Sequence, residues 1–253
     1  MPRWPSSRTP MTRLLALLLL LGGCAGSGPA EPPRLLVFSK TEGWVHDSIP
    51  AAVEAVRQLG EAGGFAVDAT QDAAAFSDDR LAEYDAVVFL LTTGDVLDTE
   101  QEAAFERFVR AGGGYAGVHS ASDTEYEWPF YGDLVGAYFE SHPPGTPDAV
   151  VDVVAAHPST EPLPQRWTWT DEWYAFRAQP ENVRVLMTVD ESTYEGGTMG
   201  EHPIAWCHEA LGGRAWYTAL GHRAEGYADE AFRAHLLGGL RYAAGLADGD
   251  CGS

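Results

Sequence analysis

Cations are scarce in this chain. Its 253 residues carry 16 Lys and Arg against 37 Asp and Glu, a formal net charge of −21. A surface of that sign repels a phosphate backbone, so nucleic acid is excluded as a partner. Long apolar runs are missing too. The densest, Leu14 to Leu21, is far short of the about 20 helical residues that span a bilayer. Cysteine is limited to Cys24, Cys207 and Cys251, and without a Cys-x-x-Cys there is no pattern for a thiolate zinc site. There is no Gly-x-Ser-x-Gly, the nearest arrangement being Gly117-Val-His-Ser-Ala121. There is no Gly-x-x-x-x-Gly-Lys-Ser/Thr, and Gly112-Gly-Gly114 leads into a strand rather than a helix, so no dinucleotide loop is formed either. No nucleotide cofactor is expected.

What is present begins with a leader. Arg3, Arg8 and Arg13 precede the Leu14–Leu21 run, as in a secretory signal peptide. Leu21-Gly22-Gly23-Cys24 resembles a bacterial lipobox, which makes Cys24 the expected lipidation site, residues 1–23 the signal peptide and the bacterial cell envelope the expected location. On that reading the protein meets the membrane through its lipid anchor alone. Residues 24–33, small and proline-rich, would form a linker. Removing the leader takes away three arginines and makes the rest more acidic still. A hydrophobic content of 45% is that of a globular core. An oxidising envelope permits a bridge between Cys207 and Cys251, but Cys251 sits in Asp248-Gly-Asp-Cys-Gly-Ser253, within a tail (247–253) that reads as flexible, so pairing is not expected.

From residue 34 the hydrophobic pattern alternates between short apolar runs and amphipathic stretches. Strands are expected at 34–39, 65–68, 85–91 and 115–118. Helices are expected after Ser48, after Ser77 and after Asp98, the last with Gln101 completing a capping box. This β-α-β-α-β order implies a parallel sheet covered on both faces. Past Phe130 the rhythm changes: a short helix, strands near 150–154 and 183–189, an aromatic and acidic segment at 167–176, a hairpin of 204–208 with 214–218, and a last helix carrying Phe232, Leu236, Leu240 and Tyr242. The reading is one α/β domain over 34–246 with a decorated C-terminal half.

In an open parallel sheet, ligands bind beyond the carboxyl ends of the strands. His46, His119 and His222 each follow a strand. Convergence there would let them hold a divalent metal such as zinc or move protons. His119 and His222, with Asp123 four residues past His119, are the catalytic candidates. His142 and the segment Asp171-Glu172-Trp173-Tyr174 are substrate-binding candidates, with Trp44, because aromatic faces beside carboxylates suit a small carbohydrate. His157 and His208 read as structural or exposed, and His235 as a helix-surface residue.

Several segments together resemble the ThuA-like family, named for trehalose utilisation. They are Val37-Phe-Ser-Lys-Thr-Glu-Gly-Trp-Val-His46, Gly112-Gly-Gly-Tyr-Ala-Gly-Val-His119 with Asp123-Thr124, Tyr131-Gly-Asp-Leu-Val-Gly136 with His142-Pro143, Asp171-Glu-Trp-Tyr174, His202-Pro-Ile-Ala-Trp206, and Gly213-Arg-Ala-Trp-Tyr-Thr-Ala-Leu-Gly-His222. The resemblance implies a flavodoxin-like three-layer sandwich like that of class I glutamine amidotransferases, with a mainly parallel sheet. It also implies work on sugars, including oxidised 3-keto glycosides. His119 falls where the amidotransferases carry their cysteine nucleophile. Imidazole is not that nucleophile, so glutamine hydrolysis through a thioester is not expected. Acid-base chemistry on a sugar or keto-sugar is, with a carbohydrate-binding surface protein as the alternative.

Overall fold

The computed structural model describes residues 1–4 and 31–252. Cys24 and residues 5–23 of the leader expected before it lie outside the described residues. The chain divides into Met1–Glu31 and Pro32–Ser253, and every strand and helix among the described residues lies in the second unit. No helix among the described residues is long and apolar enough to cross a membrane.

The elements run β1 (Arg34–Phe38), α1 (Ile49–Gly63), β2 (Ala66–Thr70), α2 (Asp78–Leu81), β3 (Ala86–Leu90), α3 (Thr99–Arg110), β4 (Gly114–Val118), α4 (Pro129–Val135), β5 (Phe139–Ser141), β6 (Asp148–Val153), β7 (Arg166–Thr170), β8 (Ala175–Phe176), β9 (Arg184–Asp190), β10 (Pro203–His208), β11 (Ala215–Thr218) and α5 (Glu230–Ala243). Nine strands form one sheet in the order β2-β1-β3-β4-β11-β10-β9-β6-β7, and β5 pairs with β8 apart from it. β2, β1, β3, β4 and β11 are parallel neighbours. From β10 onward the pairings are antiparallel, so only β10 and β6 run against the rest. The fold is an α/β sandwich on a large, mainly parallel sheet.

The local chemistry accounts for these elements. β3 (Ala-Val-Val-Phe-Leu) and β4 are buried along their whole length, as strands covered on both faces must be. The Asp98 side chain accepts from the backbone of Glu100 and Gln101, and Gln101 reaches back, so the capping box is formed. The expected hairpin is β10–β11, with Trp206 opposite Tyr217. Ser48 precedes α1 as expected but does not cap it with its side chain. Its hydroxyl donates to the Gly221 carbonyl instead, tying the start of α1 to the turn after β11.

Two expectations are corrected. Cys207 and Cys251 form a disulfide, and Cys251 is buried. The segment after α5 folds back against β10, a contact that spacing along the chain does not reveal. His235 is not a helix-surface residue but is buried, its Nδ1–H donating to the Ser159 carbonyl and its Nε2 accepting from the Thr218 hydroxyl. α5 is sunk into the sheet face, so the side that looked polar meets protein.

Candidate functional site

β1, β4 and β11 all end at the same edge of the sheet, and each is followed by a histidine. The loop after β1 crosses the end of β3, held there by the backbone of Glu42 and Gly43 donating to the Thr93 carbonyl, and this brings His46 over the end of β4. There the chain turns sharply: His119 takes a left-handed backbone, φ +52°, uncommon for a residue with a side chain. The Tyr217 hydroxyl and the Ser122 hydroxyl both donate to its carbonyl, at 2.8 and 3.3 Å, which holds the turn. The His46 and His119 rings lie 4.9 Å apart, His46 and His222 5.3 Å, and His119 and His222 5.4 Å.

A carboxylate completes the group. Glu172 follows β7, the strand at the far edge of the sheet, but the chain runs back across the strand ends. One donor atom from each of His46, His119, Glu172 and His222 can be chosen so that all lie within 4.8 Å of one another. Glu172 Oε2 is 3.5 Å from His119 Nε2 and 3.1 Å from His222 Nδ1, while Oε1 is 3.1 Å from His142 Nδ1.

The ring nitrogens are oriented from behind. His119 Nδ1–H donates to the Ala219 carbonyl at 2.7 Å, which leaves Nε2 with its lone pair aimed into the cluster. That Nε2 and the Nδ1 of His222 are buried with no hydrogen-bond partner. The His46 Nδ1 lies 3.4 Å from the Ser120 hydroxyl. Burial, and then its two histidine neighbours, push the basicity of His46 down to about 3, so it is neutral. Burial alone would raise the Glu172 carboxyl, but contacts with His119 and His222 outweigh it and hold the group far below the ordinary carboxylate range. His222 is shifted upward, first by its contact with Glu172. Three imidazoles and an ionised carboxylate with donor atoms this close together form a nitrogen and oxygen donor set suited to a divalent first-row transition metal.

His142, partly exposed, marks the solvent side of the cluster, against Glu172. Tyr174 lays its ring 4.2 Å from that of His119 and is a wall of the site. Two readings are corrected. Asp171, expected to meet substrate, is only 1% exposed and spends both oxygens on protein: Oδ1 accepts from the backbone N–H of Glu172 and of His222, Oδ2 from Gly221 N–H and the Trp169 indole. It is a clamp behind the site. Trp173 is a core residue, its indole donating to the Pro147 carbonyl. Asp123 is outside the four-residue group and accepts from the Tyr126 hydroxyl at 2.6 Å. Trp44 is 70% exposed, on the loop that carries His46.

Reading along the chain missed Glu172 as a partner of the histidines, although the aromatic and acidic segment had marked it for substrate. It also missed the Ala219 carbonyl, which carries no side-chain signal at all.

A family profile described as trehalose utilisation, ThuA, matches residues 34–243. The chain belongs to the ThuA family. It is similar in fold to a ThuA-like protein from Bacteroides uniformis, at 23% identity and a TM-score of 0.74 over 88% of this chain and 95% of that one. A ThuA-like protein from Parabacteroides merdae is similar at 24% identity and 0.69, over 84% and 90%. A glutamine amidotransferase from Thermotoga maritima shares the fold at 13% identity and 0.52, over 85% and 99%. No curated protein matches the chain. In this ThuA-family chain the turn after β4, where the resemblance puts an amidotransferase's thiol, carries the His119 imidazole.

Proposed function

We propose that this protein is a lipid-anchored enzyme of the bacterial cell envelope that acts on a sugar or oxidised 3-keto glycoside, with a divalent metal such as zinc held by His46, His119, His222 and Glu172. The observation that carries the reading is the aim of His119 Nε2: a buried lone pair, fixed by the Ala219 carbonyl and left without a partner, points where three other donors converge. Bound there, the ion would supply Lewis acidity to a carbonyl or hydroxyl oxygen of the sugar.

The chain's own groups supply the rest. Asp123, four residues past His119 and with its carboxyl raised by burial, is the group to take a proton from the carbon beside a carbonyl, while Glu172 stays ionised between His222 and His142. Such a transfer leads to isomerisation or elimination. Tyr174 closes one wall, and the exposed Trp44 indole offers a face for a second sugar ring. The catalytic role assigned to His119 and His222 thereby becomes one of holding and polarising.

The test is metal analysis of the purified chain beside turnover of a panel of 3-keto glycosides. About one equivalent of a transition metal is expected, lost together with turnover in His119→Ala and His222→Ala. Wild-type protein that takes up no metal, or variants that keep full turnover, would sink the proposal. The alternative, a carbohydrate-binding surface protein, predicts saturable sugar binding by calorimetry with no product formed.

A further inference from the structure

Six tyrosines are buried among the described residues, and five of them spend the hydroxyl on protein. Tyr131 donates to the Ala121 carbonyl and Tyr115 to the Tyr131 oxygen. Tyr217 donates to the His119 carbonyl, Tyr227 to the Gly221 carbonyl and Tyr242 to the Glu209 carboxylate. Tyr174 is the exception. It is 3% exposed, yet its hydroxyl makes no hydrogen bond to a described residue and is not among the atoms sealed from solvent. Buried polar groups rarely stay unpaired without a reason. We propose that Tyr174 is the proton donor of the site, giving its hydroxyl proton to the leaving oxygen of a keto glycoside, so that the reaction is an elimination that splits the glycosidic bond. This rests on the keto-sugar reading above and selects elimination over isomerisation.

The surroundings fix the ring and leave only the hydroxyl uncommitted. Tyr174 packs 4.2 Å from the His119 ring and 4.2 Å from the Phe139 ring, with the His142 ring 6.1 Å away and inclined by 28°. From behind, the His202 Nε2–H donates to the Tyr174 carbonyl at 2.8 Å, and its neighbour Trp173 is anchored in the core. β5 and β8, which pair apart from the main sheet, set Phe139 opposite Phe176 and so bring Phe139 against Tyr174. The phenol thus borders both the converging nitrogens and the solvent side marked by His142. Asp123 reaches the same wall. The Tyr126 hydroxyl lies 2.6 Å from Asp123 Oδ1 and 3.1 Å from the Phe139 carbonyl, so base and phenol flank one residue, Phe139.

The two residues divide the work of an elimination. A phenol is neutral at physiological pH and yields its proton to a departing alkoxide, a much stronger base. Isomerisation sheds no group and has no alkoxide to protonate. In the elimination, Asp123 takes the proton from the carbon beside the carbonyl. The freed electron pair becomes a carbon–carbon double bond, and the bond from the next carbon to the glycosidic oxygen breaks with its pair on oxygen. That oxygen takes the Tyr174 proton and leaves as an alcohol. The phenolate regains a proton from the Asp123 carboxyl through solvent, so both groups return to their starting states and no co-reactant is consumed. The products are an unsaturated keto-sugar and the free alcohol.

The experiment compares the full chain with Tyr174→Phe, which removes one oxygen and keeps the ring. The substrates are the 3-keto glucosides of methanol and of 4-nitrophenol. Methoxide needs a proton to leave, whereas nitrophenolate does not. Tyr174→Phe is expected to slow methanol release by about 100-fold or more, and nitrophenol release by less than about tenfold. Deuterium uptake at the carbon beside the carbonyl, followed by NMR in D₂O, should persist in the variant. Equal losses on the two substrates would reduce the hydroxyl to a structural role and overturn the proposal, as would methanol release at the wild-type rate. Wild-type protein that exchanges the proton but yields only an isomerised sugar also overturns it, while leaving the keto-sugar reading in place. Wild-type protein that neither exchanges that proton nor releases either alcohol sinks the keto-sugar reading, and the assignment of Tyr174 with it.

Discussion

Asp171 shows how much one buried carboxylate can organise. Its four acceptor bonds reach Trp169, Glu172, Gly221 and His222, so it sets the distance between two of the four converging side chains without touching what they hold. Asp171→Asn puts an amide N–H₂ in front of backbone N–H donors. Metal affinity, measured by competition with a chromophoric chelator, is expected to fall about 10- to 100-fold, more than any loss of thermal stability would account for. Unchanged affinity would show that Glu172 and His222 are placed by other contacts. Glu125 makes a different prediction. It is buried at a left-handed φ of +54°, and its Oε1 accepts from Val96 and Leu97 N–H. Burial raises its carboxyl from 4.5 to about 7, against the lowering effect of those two bonds. A carboxyl raised on folding contributes stability that is full below its unfolded value and lost as pH rises through the folded one. The melting temperature should therefore fall between pH 4.5 and about pH 7, by an amount on the order of 5–10 °C, and Glu125→Gln should flatten that slope. A wild-type curve flat across this range would refute the assignment.

α5 illustrates a helix whose sequence is chosen for contact rather than propensity. Gly238 and Gly239 each cost about 1 kcal/mol of helix propensity relative to alanine. A Cβ at Gly238 would come within 2.2 Å of the Pro158 carbonyl, and one at Gly239 within 2.3 Å of the Trp216 ring. The helix can lie on β11 and on the 158–159 turn only because both are glycine. Gly239→Ala gains propensity and is still expected to destabilise the protein by about 1–3 kcal/mol, measured by urea denaturation. A stabilised variant would mean that Trp216 yields easily. The same close packing is why His235, read from the sequence as a surface position, is enclosed.

For the molecule as a whole, the sheet does two things. Its parallel half brings the ends of β1, β4 and β11 to one edge and delivers three histidines. Its antiparallel half carries the chain out to β7 and returns it with Glu172. The Cys207–Cys251 bond closes the C-terminal segment against β10, over a separation of 44 residues. Closing such a loop is worth about 4 kcal/mol by chain entropy. Reduction should lower the urea midpoint accordingly while leaving a folded protein, within the usual margin of about 5–15 kcal/mol. An unchanged midpoint would show that the segment is held without the bond.

The sequence by itself determined what depends on near neighbours. Apolar runs of four to six residues became β1, β3 and β4. Asp98 and Gln101 capped α3, the β10–β11 hairpin closed across its glycines, and histidines after strand ends marked the edge where a site could form. It also carried enough ordered motifs to reveal the family and, through it, the sandwich. Only the tertiary structure decided the partners. His119 is oriented by a carbonyl 100 residues away, Asp171 grips the His222 turn 51 residues on, and Cys207 meets a tail that looked free. The physical reason is that hydrophobic periodicity specifies which face of an element is buried but not which surface buries it. A backbone carbonyl or a returning loop, having no residue-specific signature, becomes visible only once the chain has folded.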